Sequence, residues 1–273
     1  MRPEWCSIHT HNTFCDGKNS LEEMAAAAYA AGVHYFGISC HSHTPISLDV
    51  GAVLSADMSA YRNSVLQLRE AYRGRMEVLL GIEWDSCSDI QPEGFDYWIG
   101  SVHYQHGANE KYYAADWGEE QFTACRDELF QGDSLAVAEG YFSQVKRVAA
   151  MKPPILGHFD LITKLNAGNR FFDENDPRYR HAALDALQTV DPLATVLEIN
   201  TGGVSRGYRA APYPALFLLK EWNQMGGQVI LTSDSHSTET ILYGYDQAAE
   251  LAKAAGFNHC VLLTGNGFVA CPL

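Results

Sequence analysis

Trp5-Cys-Ser-Ile-His9-Thr-His11 is a short β-rich run that ends in two histidines. Gln228-Val-Ile-Leu-Thr-Ser233, followed by Asp234-Ser-His236, ends the same way near the far end of the chain. In extended backbone the side chains at i and i+2 point to the same side. His9 with His11, and Asp234 with His236, can therefore each aim two donor atoms at one point. Working inward, further short apolar runs occupy residues 35–40, 78–83, 97–103, 154–158 and 195–200. With 5–9 and 228–233 they make seven strand candidates, most of them separated by amphipathic or alanine-rich stretches. Ser20-Leu-Glu-Glu23 reads as a capping box opening a helix that Gly32 closes. Asp57 is placed to cap a second helix, and Pro214 suits the first turn of another. Residues 239–255 read as one helix ended by Gly256. Strand and helix in alternation imply an α/β protein with parallel strands and right-handed crossovers. About seven such units predict a (β/α)7 TIM-like barrel rather than an open sheet.

The strand ends carry the chemistry. Besides His9, His11, Asp234 and His236, the intervening runs end on His41, Glu83, His103 and His158, and Asp16 lies in the loop after His11. A lone His-x-His or a lone strand-end histidine has an ordinary structural explanation. The same residue types at the C-terminal end of nearly every strand do not, because that face is where barrels build their sites. Imidazole and carboxylate without thiolate suit Zn, Mn or Fe. Nine candidate ligands exceed the needs of one ion and fit two or three, with Glu83 placed in sequence to bridge. Ions about 3.5–4 Å apart can share a hydroxide that attacks phosphorus in line.

The other candidates are secondary. Cys15, Cys40 and Cys87 read as packing residues, with the sulfur of Cys40 turned away from its neighbour His41. His34, His181 and His259 read as structural. His106 and His43 sit just past ligand positions, and His43 is the preferred general acid or substrate contact. Lys164, Arg206 and Arg209 follow consecutive strands on the same face and are the expected phosphate clamp. Residues 105–132, rich in Tyr, Trp and acidic side chains, read as a lid-like insertion in which Glu110, Asp116 and Glu119 are placed to hold a substrate ammonium group.

The bulk numbers set limits. The chain has 273 residues, 47% hydrophobic, enough for one large core, so residues 1–273 are expected to form a single unit. A formal net charge of -14 disfavours nucleic acid and anionic membrane surfaces as partners. Seven cysteines without CxxC spacing, and an N-terminus with no signal-peptide pattern, point to a reducing cytoplasm. Homo-oligomer formation is left open by the sequence.

His9-Thr-His11 with Asp16-Gly17, Ser39-Cys-His41, Gly81-Ile-Glu83, Gly100-Ser-Val-His103, Gly157-His158 and Ser233-Asp-Ser-His236 together resemble the polymerase and histidinol phosphatase (PHP) family. Within it the chain is most similar to the HisK/HisJ type of histidinol-phosphate phosphatase. The stretches that carry this are Asn12-Thr-Phe-Cys-Asp-Gly17, Ile99-Gly-Ser-Val-His-Tyr104, Leu156-Gly-His-Phe-Asp-Leu-Ile162, Glu198-Ile-Asn-Thr-Gly-Gly203 and Tyr213-Pro214. The resemblance implies a distorted seven-stranded barrel and three divalent metal ions. His9, His11, Glu83 and Asp234 would hold the first, Glu83, His103 and His158 the second, and Asp16, His41 and His236 the third. It implies hydrolysis of a small phosphorylated substrate, L-histidinol phosphate, in histidine biosynthesis, with a hydroxide between metals as nucleophile and Asp234 among the catalytic residues; the nearest alternative is the same scaffold acting on another small ester, a nucleotide or sugar phosphate. Two departures stand out. Some members carry histidine where this chain has Asp16, and the phosphatases tend to have arginine near Thr163-Lys164. An amidohydrolase-type barrel, also opened by His-x-His, would add a strand-end lysine that none of these runs carries. A non-catalytic metal-binding accessory module fits poorly with a complete ligand set.

Overall fold

The computed structural model describes residues 5–107 and 110–273. The chain opens with β1 (Trp5–Ser7), α1 (Leu21–Ala30), β2 (Val33–Ile38), α2 (Met58–Tyr72), β3 (Glu77–Asp85) and β4 (Tyr97–Ser101). A hairpin of β5 (Tyr104–His106) and β6 (Tyr112–Ala114) follows, then α3 (Glu119–Leu129), α4 (Ser134–Ala150) and β7 (Ile155–Leu156). The last third holds α5 (Pro177–Leu187), β8 (Val196–Asn200), α6 (Gly202–Ser205), α7 (Leu216–Gln224), β9 (Gln228–Thr232), α8 (Tyr245–Ala254), β10 (His259–Thr264) and β11 (Gly267–Pro272). Among the described residues no helix is long and apolar enough to cross a membrane.

All seven expected strands are present and pair in parallel in the order β1-β2-β3-β4-β7-β8-β9. The curled sheet closes at its C-terminal rim through a parallel bridge between Thr10 and Ser235. There the amide of His11 donates to the carbonyl of Ser235 at 2.8 Å, and the amide of Ser235 to that of His9 at 3.0 Å. The fold is a distorted TIM-like barrel, as expected. The sheet continues past the seventh strand: β10 joins β9 at the single register pair Val261–Ile230, and β11 returns antiparallel along β10. These two were not among the strand candidates. Their run ends in no ligand and turns on the two-residue loop Gly265-Asn266.

Local readings hold unevenly. The Ser20 hydroxyl accepts from the Glu23 amide at 3.2 Å, while the Glu23 carboxylate accepts from the Ser20 amide at 2.9 Å, completing the capping box. Asp57 occupies the N-cap position of α2, but its side chain makes no capping bond there. Helix α7 starts at Leu216, two residues after Pro214, whose bond to Tyr213 is cis. The expected helix over 239–255 is broken. A 3-10 turn at Thr238–Thr240 precedes Gly244, whose φ of 71° stops helical continuation, so α8 begins only at Tyr245.

Period-two alternation divides each strand between two cores. On β3, Leu80, Ile82 and Trp84 pack outward among the helices, while Leu79 joins an interior plug with Tyr97, Ile99, Ile155, Val196, Ile230 and Val261. Glu83, two pleats above Leu79, emerges on top of that plug. The Tyr97 ring lies where Gly37 and Gly81 have no side chains. A Cβ at Gly81 would stand 2.2 Å from the ring carbon Cζ, and one at Gly37 equally close to the hydroxyl. The phenol is fixed by donating to the carbonyl of Ile8. Overpacking of this kind costs about 1–3 kcal/mol. Gly81→Ala should therefore lower the urea unfolding midpoint by a corresponding amount, without changing the slope of the transition.

Candidate metal centre and substrate cavity

Each strand end delivers its side chain inward to one place. His41 continues the β2–β3 pairing as a parallel bridge to Glu83, which sets its ring over that carboxylate. The loop after His11 turns back at once, with the amides of Cys15 and Gly17 donating to the carbonyl of Asn12 at 2.9 and 3.1 Å. Lys18 then donates its amide to the carbonyl of His236 at 2.8 Å, drawing the loops after β1 and β9 together. Asp16 thereby lies 3.5 Å from His11, 3.6 Å from His41 and 3.2 Å from His236. Asp234 holds a left-handed backbone (φ 47°) at the end of β9, and its carboxylate reaches within 3.3 Å of His11 and 3.7 Å of His9. Such a conformation is tolerated best by short polar side chains and clusters at functional sites.

Four overlapping groups result, with ligand atoms within 4.8 Å of one another: His11, Asp16, His41 and His236; His9, His11 and Asp234; His9, Glu83 and His158; and His41, Glu83 and His103. Together they contain all nine residues expected from the sequence. Glu83 is shared between two groups. Its Oε1 faces His103 at 3.3 Å and His158 at 2.8 Å, and its Oε2 faces His9, His11 and His41 at 3.2, 3.5 and 2.9 Å.

The chemistry of the donor set fits divalent metal ions. The Nε2 atoms of His9 and His11 and Oε2 of Glu83 are fully buried with no hydrogen-bond partner, an arrangement that would be costly for groups meant only to fold. Charge tells the same story. Burial alone would raise the pKa of Glu83, but His9, His41 and His103 hold it well below the usual carboxylate range. Burial would lower that of His9, but Glu198, Glu83 and Asp234 hold it well above the ordinary imidazole value. The same carboxylates that favour protons on these rings favour divalent cations in their place.

Behind the ligands stands a layer that the sequence reading did not assign. Glu198 on β8 is fully buried and accepts from Nδ1 of His9 at 2.5 Å, the amide of His158 at 2.6 Å, the hydroxyl of Thr232 at 2.7 Å and the amide side chain of Asn200 at 3.0 Å. This fixes Nδ1 of His9 as the protonated nitrogen and turns Nε2 toward Glu83. Asp85 serves His103 likewise, accepting from its amide at 2.8 Å and from Nδ1 at 3.0 Å. Both had a readable signal. Asp85 follows Glu83 at i+2 on the same strand face, and Glu198 points inward from the one strand that supplied no ligand.

A cavity of about 360 Å³ opens over the cluster, walled by Asp16, His41, Glu83, His103, His158, Asp234 and His236. Its remaining wall includes Asp49, Val50, Tyr104, Asp116, Trp117, Lys164 and Arg206. Of the expected clamp, Lys164 and Arg206 are here. Arg206 donates to the carboxylate of Asp234 at 2.9 Å, and Lys164 to Asp116 at 2.7 Å. Gly202 makes the first of these contacts feasible, because a Cβ there would stand 2.6 Å from the Asp234 oxygen. Arg209 is not brought to the cavity wall: it is clamped to the Glu174 carboxylate at 2.7 and 3.1 Å and to the carbonyl of Thr163. Neither is His43, whose ring nitrogen pairs with Asp89 at 2.7 Å.

Of the acidic residues in 105–132 only Asp116 faces the cavity. Glu110 is exposed, and Glu119 pairs with Arg170. His106 packs at a tilt against Tyr112 and is not part of the cavity wall, and His34, His181 and His259 are exposed. Cys40 is buried in the outer core. Cys87 packs beside Ile46 and Tyr104, whereas Cys15 places its sulfur 3.5 Å from Nδ1 of His11, closer to the cluster than a packing role requires.

Residues 7–202 match the PHP domain, and the chain belongs to the PHP-domain family. It is 25% identical over 269 residues to the histidinol-phosphatase of Bacillus subtilis (strain 168), an alignment covering 89% of this chain and 97% of that protein. Among solved structures it resembles the hisK protein of Listeria monocytogenes, with a TM-score of 0.73, 18% identity, and coverage of 89% of this chain and 99% of the other. It also resembles the histidinol phosphate phosphatase of Lactococcus lactis complexed with zinc, L-histidinol and phosphate, with a TM-score of 0.68, 18% identity, and coverage of 97% and 98%.

Carboxylates that orient a metal-binding histidine typically contribute about 10–100-fold to metal affinity. Glu198→Gln should therefore weaken zinc binding by that order in a competition assay with a chromogenic chelator.

Proposed function

We propose that this protein is a metal-dependent phosphomonoesterase that hydrolyses L-histidinol phosphate to L-histidinol and phosphate, using three divalent ions drawn from Zn, Mn or Fe. The observation that carries the reading is the meeting, in one cavity, of nine imidazole and carboxylate ligands with two cations, Lys164 and Arg206. The names of the relatives and the ligands in the Lactococcus lactis structure support the same substrate. The four ligand groups support more than one ion, and the position of Glu83, with Oε1 toward His103 and His158 and Oε2 toward His9, His11 and His41, supports a bridging role.

Ions held by this set would acidify water enough for it to act as a nucleophile near neutral pH and would offset negative charge at phosphorus. The protein's own groups do the rest. Arg206, anchored on Asp234, and Lys164 neutralise the non-bridging oxygens and orient the ester. Asp234 and Glu198 keep His9 and His11 turned toward the centre. Asp116 and Trp117, from the segment 105–132, line the cavity, in line with a lid-like role for that segment. His43 is not retained as the general acid, because its ring is committed to Asp89. The reading takes residues 1–273 as one barrel unit acting on a small molecule. A net charge of -14 supports the exclusion of nucleic acid and membrane surfaces.

Purified enzyme assayed against a panel of phosphate monoesters should show its highest kcat/KM for histidinol phosphate; equal values for nucleotide or sugar phosphates would overturn the substrate assignment. Stripping metal with a chelator should abolish activity, and Zn, Mn or Fe should restore it. Arg206→Met is expected to lower kcat/KM by about a hundredfold, the usual scale for losing one donor that stabilises developing charge.

A further inference from the structure

Lys164 and Asp116 form an ion pair inside the cavity, Nζ to Oδ2 at 2.7 Å, with the two side chains only 12% and 13% exposed. Lys164 comes from the turn after β7 and Asp116 from the segment after β6, so the pair joins the outer wall of the cavity to the barrel rim. The ammonium of Lys164 also lies 5.1 Å above the Tyr208 ring. The other cavity carboxylates outside the ligand set are committed elsewhere. Asp85 holds His103, and Asp49 accepts from the hydroxyl of Thr44 at 2.6 Å. Among the described residues Asp116 accepts a side-chain hydrogen bond from Lys164 alone.

We propose that Asp116 is the specificity-determining residue of this site, and that it selects phosphate esters carrying a nearby ammonium group by exchanging its ion pair with the substrate. The inference rests on the phosphomonoesterase reading. A phosphate that recruits Lys164 strips Asp116 of its partner. A nearly buried carboxylate left unpaired costs more than the pair itself was worth. A substrate with an ammonium group a few bonds from the ester replaces what it removes: phosphate takes Lys164, ammonium takes Asp116, and no charge is left uncompensated. A plain ester makes the same contacts to Lys164 and leaves Asp116 bare. Selection therefore works by penalising the wrong ester, the route by which a buried polar group discriminates most strongly.

The test compares kcat/KM for histidinol phosphate with that for its desamino analogue, imidazolylpropyl phosphate. Wild-type enzyme should prefer the amino compound by at least about tenfold, the scale of one lost buried pairing. In Asp116→Asn the value for histidinol phosphate should fall while that for the desamino ester rises, because Lys164 is freed and no carboxylate is stranded. A wild-type ratio near one, or a variant in which both values fall by the same factor, overturns the proposal. Should Asp116→Asn fail to fold, Asp116→Glu, which keeps the charge and displaces it by a methylene, should reduce the ratio; an unchanged ratio again overturns it. Failure of the substrate reading looks different. There, wild-type enzyme would show no preference for histidinol phosphate over phenyl phosphate. A preference over phenyl phosphate that survives loss of the amino group leaves that reading intact and removes this one.

Discussion

Glu83 is 1% exposed, and five imidazole rings bring a nitrogen within 3.5 Å of its two oxygens. A carboxylate so placed is shielded from bulk water, and among the described residues its ion-pair partners are all histidines. Its charge is balanced by the histidines around it, which are held in turn by Glu198, Asp85, Asp16 and Asp234. Once the barrel commits Glu83 to its axis, the neighbouring strand ends must supply groups that are cationic or that hold cations. This buried, densely charged centre makes metal binding the coherent account of residues that would otherwise destabilise the fold.

The barrel provides the rigidity that such a centre requires. Below Glu83 the interior is an apolar plug of Leu79, Tyr97, Ile99, Ile155, Val196, Ile230 and Val261, with Tyr97 occupying the space that Gly37 and Gly81 leave open. Above it lies a hydrogen-bonded layer: Ser101 donates to Glu83 at 2.8 Å, and Glu198 gathers His9, His158, Asn200 and Thr232. Ligand positions are thus set by neighbours on adjacent strands rather than by the ligands' own loops. The ends of the chain are tied in by the Thr10–Ser235 bridge, which brings His9 and His11 onto Asp234 and His236 across the barrel seam.

The outer cavity follows a different logic. Its two cations are each already paired, Arg206 with Asp234 and Lys164 with Asp116. Asp234 belongs to the centre, so Arg206 is locked in place as part of it. Asp116 belongs to the wall, and among the described residues its side-chain hydrogen bond comes from Lys164 alone. On the proposed reading a phosphate would meet one fixed and one exchangeable cation, the second giving the site a means of sensing the rest of the ester.

Pattern in the sequence was enough for the architecture and the centre. Seven short strands, six of them ending in a ligand-type residue, and the i, i+2 pairs His9–His11 and Asp234–His236, follow from local backbone geometry, so they can be read before any tertiary contact is known. Glu198 and Asp85 could have been read by the same alternation, since each is an inward strand residue. The outer contacts could not. His43 and His41 share a strand-end segment and Arg209 follows Arg206 by three residues, yet His43 turns to Asp89 and Arg209 to Glu174. Partners distant in the chain decide where long or loop-borne side chains point. The β10–β11 extension, the break at Gly244 and the pairing of Lys164 with Asp116 are of the same kind. Strand period fixes which side a residue faces, and therefore the candidate metal ligands. Only the folded chain fixes which opposite charge lies within reach, and therefore which cations are free to meet a substrate.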